Sequence, residues 1–212
     1  VTVVAGAAEL LDAWEAGWDR TPLERGLALL AAGTGRSPGE LAHLTVGQRD
    51  RALFELRAAL FGASLDGVST CPECGTDVEV SLDQEQLLDP PSSAPCRLPT
   101  SADVAAALSE RDPCEALVGR CSEAGDAEKT AAAWAAADPL VDVELCLSCP
   151  DCGREWAEPF DIVSYLWSEL DGWCRRTLLE VHDLAAAYGW TEPQILALSA
   201  WRRQCYLGLV RS

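Results

Sequence analysis

The sequence predicts an α+β protein, mainly α-helical, whose helical N- and C-terminal parts surround a split four-cysteine zinc ribbon with a helical insertion. Three observations carry this. Two near-identical cysteine knuckles occur, Cys71-Pro-Glu-Cys74-Gly75 and Cys149-Pro-Asp-Cys152-Gly153. Short runs of alternating polarity flank them. Everything else is punctuated by helix-start signals.

Each knuckle brings two thiolates towards one metal, and glycine permits the left-handed backbone of the turn. Four thiolates make a closed tetrahedral site, so the candidate metal ligands are Cys71, Cys74, Cys149 and Cys152. The flanks Thr76–Leu82 and Val141–Leu145 alternate at period two and read as strands, each knuckle capping a strand pair. Between Cys74 and Cys149 lie 74 residues, a long insertion into the ribbon. Cys146 stands three residues before Cys149, but only Cys149 and Cys152 carry the Pro and Gly of the first knuckle. The spacing suits zinc, and also iron as in rubredoxin-like sites; zinc is the preferred reading. A metal with four thiolate ligands has no open position and serves folding. Cys96, Cys114, Cys121, Cys174 and Cys205 read as small, partly buried apolar residues.

Residues 1–62 read as a helical segment. A helix over about Ala7–Trp18 precedes three capping boxes, at Thr21-Pro-Leu-Glu24, Ser37-Pro-Gly-Glu40 and Thr45-Val-Gly-Gln48. The last opens a helix with Ala52, Leu53, Leu56, Ala59 and Leu60 on its apolar side, ending at Gly62. Gly33-Thr34-Gly35-Arg36 lacks the Lys-Ser/Thr of a phosphate loop and reads as a helix–helix turn.

Residues 63–160 hold the ribbon and an alanine-rich insert at about 98–138. Asp89–Pro95 reads as a linker, Ser101 as the cap of a helix over Ala102–Leu108, and two further helices are expected near Pro113–Cys121 and Ala127–Ala137. In residues 161–212, Asp161 starts a long helix to about Tyr188, with Val163, Leu166, Trp167, Leu170, Trp173, Leu178, Val181, Leu184 and Ala185 on its apolar side. Gly189 ends it. Thr191 opens another capping box, and Ser199 caps a last helix carrying Trp201, Tyr206, Leu207 and Val210. The tryptophans of this part are expected in core packing.

The chain has 212 residues, 49% hydrophobic, with 34 acids against 16 bases and a formal charge of -18. Residues 63–160 hold 20 acids and 5 bases, whereas the flanking segments are close to neutral. Such a ribbon repels phosphate backbones, which argues against nucleic acid as partner. No apolar run reaches the roughly 18 residues of a membrane span. No secretion signal is evident, so the cytoplasm is the expected compartment. Arginine is the main base, Lys129 the only lysine, and alanine and leucine are abundant, the usage of a GC-rich bacterial genome.

Histidine occurs only at His43 and His182, outside any nucleophile or metal motif. Glu180 and Asp183 read as a solvated helix face. No catalytic set emerges, and a non-enzymatic protein is expected.

Several segments together resemble the T4-type phage baseplate family, whose members also accompany contractile phage-tail-like injection systems. They are Leu11-x-x-Trp14-Glu15, the Cys-Pro-x-Cys-Gly pairs, Leu98-Pro-Thr-Ser-Ala-Asp103, Pro159-Phe-Asp-Ile162 and Tyr165-Leu-Trp167. Glu180-Val-His182, Tyr188-Gly-Trp190, Ile195-Leu-Ala-Leu-Ser199, Arg202-Arg203 and Tyr206-Leu207 continue it. The resemblance spans most of the chain, and its C-terminal combination is the more specific part. It implies a baseplate hub assembly chaperone or a baseplate component, with hub, spike or other tail subunits as partners and no catalytic residues. The competing readings are a zinc-ribbon transcription accessory that binds nucleic acid and an iron electron carrier.

Overall fold

The computed structural model describes residues 6–83, 92, 97–122 and 126–210. Four helices come first: α1 (Ala7–Gly17), α2 (Pro22–Thr34), α3 (Pro38–Leu41) and α4 (Val46–Phe61). Their starts follow from side-chain capping, since Thr21, Ser37 and Thr45 each accept from the backbone N–H three residues on. Gly35 ends α2 with φ 70°, a left-handed cap that closes the helix–helix turn.

Strands β1 (Ser64–Thr70) and β2 (Asp77–Asp83) form one antiparallel hairpin, and β3 (Glu144–Ser148) and β4 (Glu155–Pro159) form a second. Between the hairpins lie α5 (Ser101–Ala107), α6 (Pro113–Cys121), α7 (Ala127–Ala137) and a 3-10 turn over Pro139–Val141. The chain finishes with α8 (Ile162–Tyr188), α9 (Glu192–Leu196) and α10 (Ala200–Val210).

The main core joins both ends of the sequence. Leu10, Leu29, Leu30, Leu53 and Phe54 from the first helices pack with Ile162, Leu166, Leu170 and Cys174 of α8. Further along α8, Val181 and Leu184 form a smaller cluster with Ile195 and Leu207. The insert has its own cluster of Val118, Cys121 and Trp134. It is also stitched to the N-terminal helices: Val46 N donates to Pro99 O, Ser101 N to Leu44 O and Ala102 N to Ala42 O.

Several local expectations are corrected. Thr100, not Ser101, caps α5, because Asp103 reaches back to the Thr100 backbone N–H and hydroxyl while Thr100 accepts from Asp103 N. Ser101 is the first residue of that helix and is fully buried. The alternation over Val141–Leu145 becomes strand only from Glu144, since Pro139 and the Asp138 carboxylate, which accepts from Leu140 N, set a 3-10 turn first. On α4, Ala59 is exposed and Phe54 and Arg57 are buried instead. Trp201 is 77% exposed and lies outside the core, and Leu178 is 38% exposed. Cys114 and Cys205 are exposed, whereas Cys121 and Cys174 are buried as expected. The Asp89–Pro95 linker, apart from Ser92, and Cys96 lie outside the described residues.

Candidate metal centre

Both knuckles are built by the same backbone hydrogen bonds. In the first, Cys71 N donates to Thr76 O at 2.8 Å and Gly75 N to Cys71 O at 3.0 Å; in the second, Cys149 N donates to Arg154 O at 2.8 Å and Gly153 N to Cys149 O at 3.0 Å. Gly75 and Gly153 take φ 75° and 73°, a conformation costly for any residue with a Cβ. That requirement explains the glycine after each second cysteine.

The two hairpins stand face to face, which brings the knuckles together. Leu65 pairs with Leu82 and Gly67 with Val80 on the inner side of one; Leu145 pairs with Glu158 and Leu147 with Trp156 on the other. Leu65, Val80, Leu82, Leu145, Leu147 and Phe160 line the space between them, a cavity of about 200 Å³. A hydrogen bond from Ser69 to Glu158 spans the layers. The outward sides carry Asp66, Asp77 and Glu79 on the first hairpin, and Glu144 and Glu155 on the second.

At the joined tips the Sγ atoms of Cys71, Cys74, Cys149 and Cys152 all lie within 4.8 Å of one another. Cys71 Sγ is 3.7 Å from Cys152 Sγ, and Cys74 Sγ is 3.5 Å from Cys149 Sγ. A tetrahedron of thiolates about 2.3 Å from a central zinc has edges of about 3.8 Å, so the four sulfurs fit such an ion with little movement. Cys71 and Cys149 are buried at 2% exposure each, and Cys74 and Cys152 face outward. Cys146 sits on the outward side of β3 opposite Ala157, apart from this group.

The thiols differ in acidity. Hydrogen bonding to the Thr76 hydroxyl and backbone, helped by Cys149, brings Cys74 down to about 6. At Cys152 the Arg154 backbone N–H favours the thiolate, but desolvation and the neighbouring Cys74, Cys149 and Cys71 outweigh it and push the thiol up to about 12. A bound cation supplies the positive charge that holds coordinating thiols deprotonated.

Three features around the site were not legible in the sequence. Thr76 Oγ1, 3.3 Å from Cys74 Sγ, donates to Asp151 Oδ2 at 2.8 Å, clipping one knuckle to the other. Tyr165 of α8 donates its hydroxyl proton to Asp66 O at 2.8 Å and accepts from Asp66 N at 2.9 Å. Arg57 of α4 donates to Gly62 O at 2.6 Å and to Ser64 O, while Glu169 accepts from it in bidentate fashion at 2.7 and 2.8 Å. The ribbon is thus fixed to the helical core through β1.

Elsewhere, Glu180 is engaged by Arg203 at 2.9 Å and Gln204 rather than simply solvated. His43 and His182 are both exposed. Among the described residues no helix is long and apolar enough to cross a membrane.

Fold and site together define a mainly helical protein with a four-cysteine ribbon split by a helical insert. Comparison with protein-family models, with curated proteins and with solved structures found no match.

Proposed function

We propose that this chain is a non-enzymatic assembly chaperone for a baseplate hub, or a baseplate component, of a contractile phage tail or tail-like particle, carrying one structural zinc held by Cys71, Cys74, Cys149 and Cys152. The observation that carries the reading is the ribbon's construction. Its four thiols leave a bound metal no open position, so the ion stiffens the fold and activates nothing. Zinc is favoured because it has no redox chemistry and accepts tetrahedral thiolates without geometric demand. What remains for function is surface.

That surface is acidic on both outward sides of the ribbon and rigidly joined to a helical body. A chaperone holds an unassembled subunit reversibly, and exposed charge on a stiff frame supplies orientation and on-rate more than raw affinity. The resemblance of the Val181-His182, Tyr188-Gly-Trp190 and Leu198-Ser199 segments to the baseplate family supplies the identity of the partner class: hub, spike or other tail subunits. Nucleic acid is a poor partner, because residues 63–160 hold 20 acids against 5 bases. The cytoplasm, where tails assemble, is the compartment this reading requires.

The experiment is affinity capture of the tagged protein from its native host during particle production, compared with quantitative mass spectrometry of finished particles. Capture of hub or spike subunits with absence from finished particles identifies a chaperone. Stoichiometric presence in particles identifies a baseplate subunit. Tail subunits in neither sample would overturn the proposal.

A further inference from the structure

Tyr165 reveals which way the backbone of the first hairpin points. Its hydroxyl meets both Asp66 N and Asp66 O, so the Asp66 backbone faces away from β2. In an antiparallel ladder this direction alternates along the strand and is mirrored across each pair. Asp66 stands opposite Ser81, Val68 opposite Glu79 and Thr70 opposite Asp77. The N–H and C=O groups of Asp77, Glu79 and Ser81 therefore face the outer edge of β2, and among the described residues no strand pairs with that edge. The bond from Cys71 N to Thr76 O, one pair further on, obeys the same alternation.

Open edges are normally blunted. On β1, Tyr165 is seated at Asp66, and β4 carries Pro159, which has no N–H to offer. Strand β2 reads Asp-Val-Glu-Val-Ser-Leu-Asp over seven residues, without lysine, proline or bulge. Its inner row of Val78, Val80 and Leu82 is only half-buried, and Val80 and Leu82 border the cavity between the hairpins. One added strand completes both the hydrogen bonding and the apolar cover. Charge selects the occupant. Asp77 and Glu79 are exposed on the outer face with Asp66 on the neighbouring strand, and like charges directly opposite repel across a sheet whereas opposite charges attract. The edge thus rejects a second copy of itself and favours a basic strand. The edge of β3 is shorter, five residues with Glu144 its only acid.

We propose that the outer edge of β2 takes up an extended segment of a partner protein as an added strand. That segment places apolar residues beside Val78, Val80 and Leu82, and alternates them with lysine or arginine opposite Asp77 and Glu79. The pairing goes beyond the assembly role and holds whether or not the partner belongs to a tail.

A capped heptapeptide of alternating valine and lysine, titrated into the metal-loaded full chain at low salt, tests it by calorimetry and by NMR-detected amide exchange. The peptide binds with a dissociation constant below about 1 mM, and one of alternating valine and glutamate does not. Binding slows exchange of the Glu79 and Ser81 amides, while those of Val78 and Val80, already bonded to β1, stay as they were. Glu79→Lys weakens binding about fivefold and leaves the thermal midpoint unchanged, because the side chain is exposed. Of two peptides N-methylated at alternate residues, one binds and the other does not, since only one set of amides faces β2. No binding by about 1 mM, equal binding of the glutamate peptide, indifference to Glu79→Lys, or equal effects of the two methylation patterns would each overturn the proposal. So would protection at Cys146 and Ser148 of β3 instead, or a dimer that protects Glu79 and Ser81 without peptide.

Discussion

Arg57 and Glu169, 112 residues apart, form a bidentate ion pair that locks the start of the ribbon to the helical core. The Arg57 side chain is 4% exposed and that of Glu169 27%. The remaining guanidinium nitrogen donates to Gly62 O and Ser64 O, the carbonyls where α4 turns into β1. Tyr165 lies beneath the guanidinium, 5.4 Å from it. Glu169 raises the Arg57 pKa through its hydrogen bonds, so the charge is permanent.

Removing one partner strands the other. Glu169→Gln leaves a buried guanidinium without its counter-charge and is expected to cost about 3 kcal/mol, with Arg57→Ala costing as much or more. Thermal and urea unfolding check this. A loss below about 0.5 kcal/mol, the scale of an exposed pair, would show that the pair does not anchor the ribbon.

Glycine positions give a paired prediction of opposite sign. A Cβ on Gly47 would stand 1.9 Å from Asp138 Oδ2, an aspartate 2% exposed that helps set the 3-10 turn, whereas a Cβ on Gly119 in α6 meets open space. Gly47→Ala should destabilise by about 1–3 kcal/mol through forced displacement. Gly119→Ala should stabilise by about 0.5–1 kcal/mol, because alanine is the better helix former. Equal effects in denaturant melts would contradict the docking of the insert against α4.

Asp103 makes stability acid-sensitive. It accepts from Arg97 at 2.6 and 3.0 Å and from the Thr100 hydroxyl and backbone, with Arg120 nearby at 3.6 Å. The Arg97 hydrogen bonds, with those of Thr100, hold its carboxyl far below the usual range. A depressed carboxylate contributes stability that is present above its unfolded pKa of about 3.9 and is lost as pH falls through the folded value. Asp103→Asn should therefore lower stability by about 1–3 kcal/mol at neutral pH and flatten the loss below about pH 4. A mutant whose acid unfolding curve overlays the wild type would refute this role.

How far the sequence could be read depends on the range of the interactions. Capping at Thr21, Ser37, Thr45 and Asp161 is settled within three residues, and the knuckles are settled within five, so both were legible. At Thr100 and Ser101 two hydroxyl residues competed for one cap, and the reach of Asp103 decided between them. Arg57 looks like any helix surface base in one dimension, because nothing local announces Glu169. The Thr76–Asp151 clip and the Tyr165–Asp66 pair are hidden for the same reason. Helical periodicity marked Trp201 as apolar but not whether another element covers it.

The central claim is that the four cysteines form one metal centre joining the two hairpins. Its most direct test is metal analysis of the purified protein by mass spectrometry, with sulfur-edge and metal-edge X-ray absorption. The account predicts about one zinc per chain bound by four sulfurs, retained in Cys146→Ser and lost together with cooperative unfolding in Cys71→Ser and Cys149→Ser. A folded wild-type preparation with no metal, or Cys71→Ser protein that keeps both metal and stability, would contradict it.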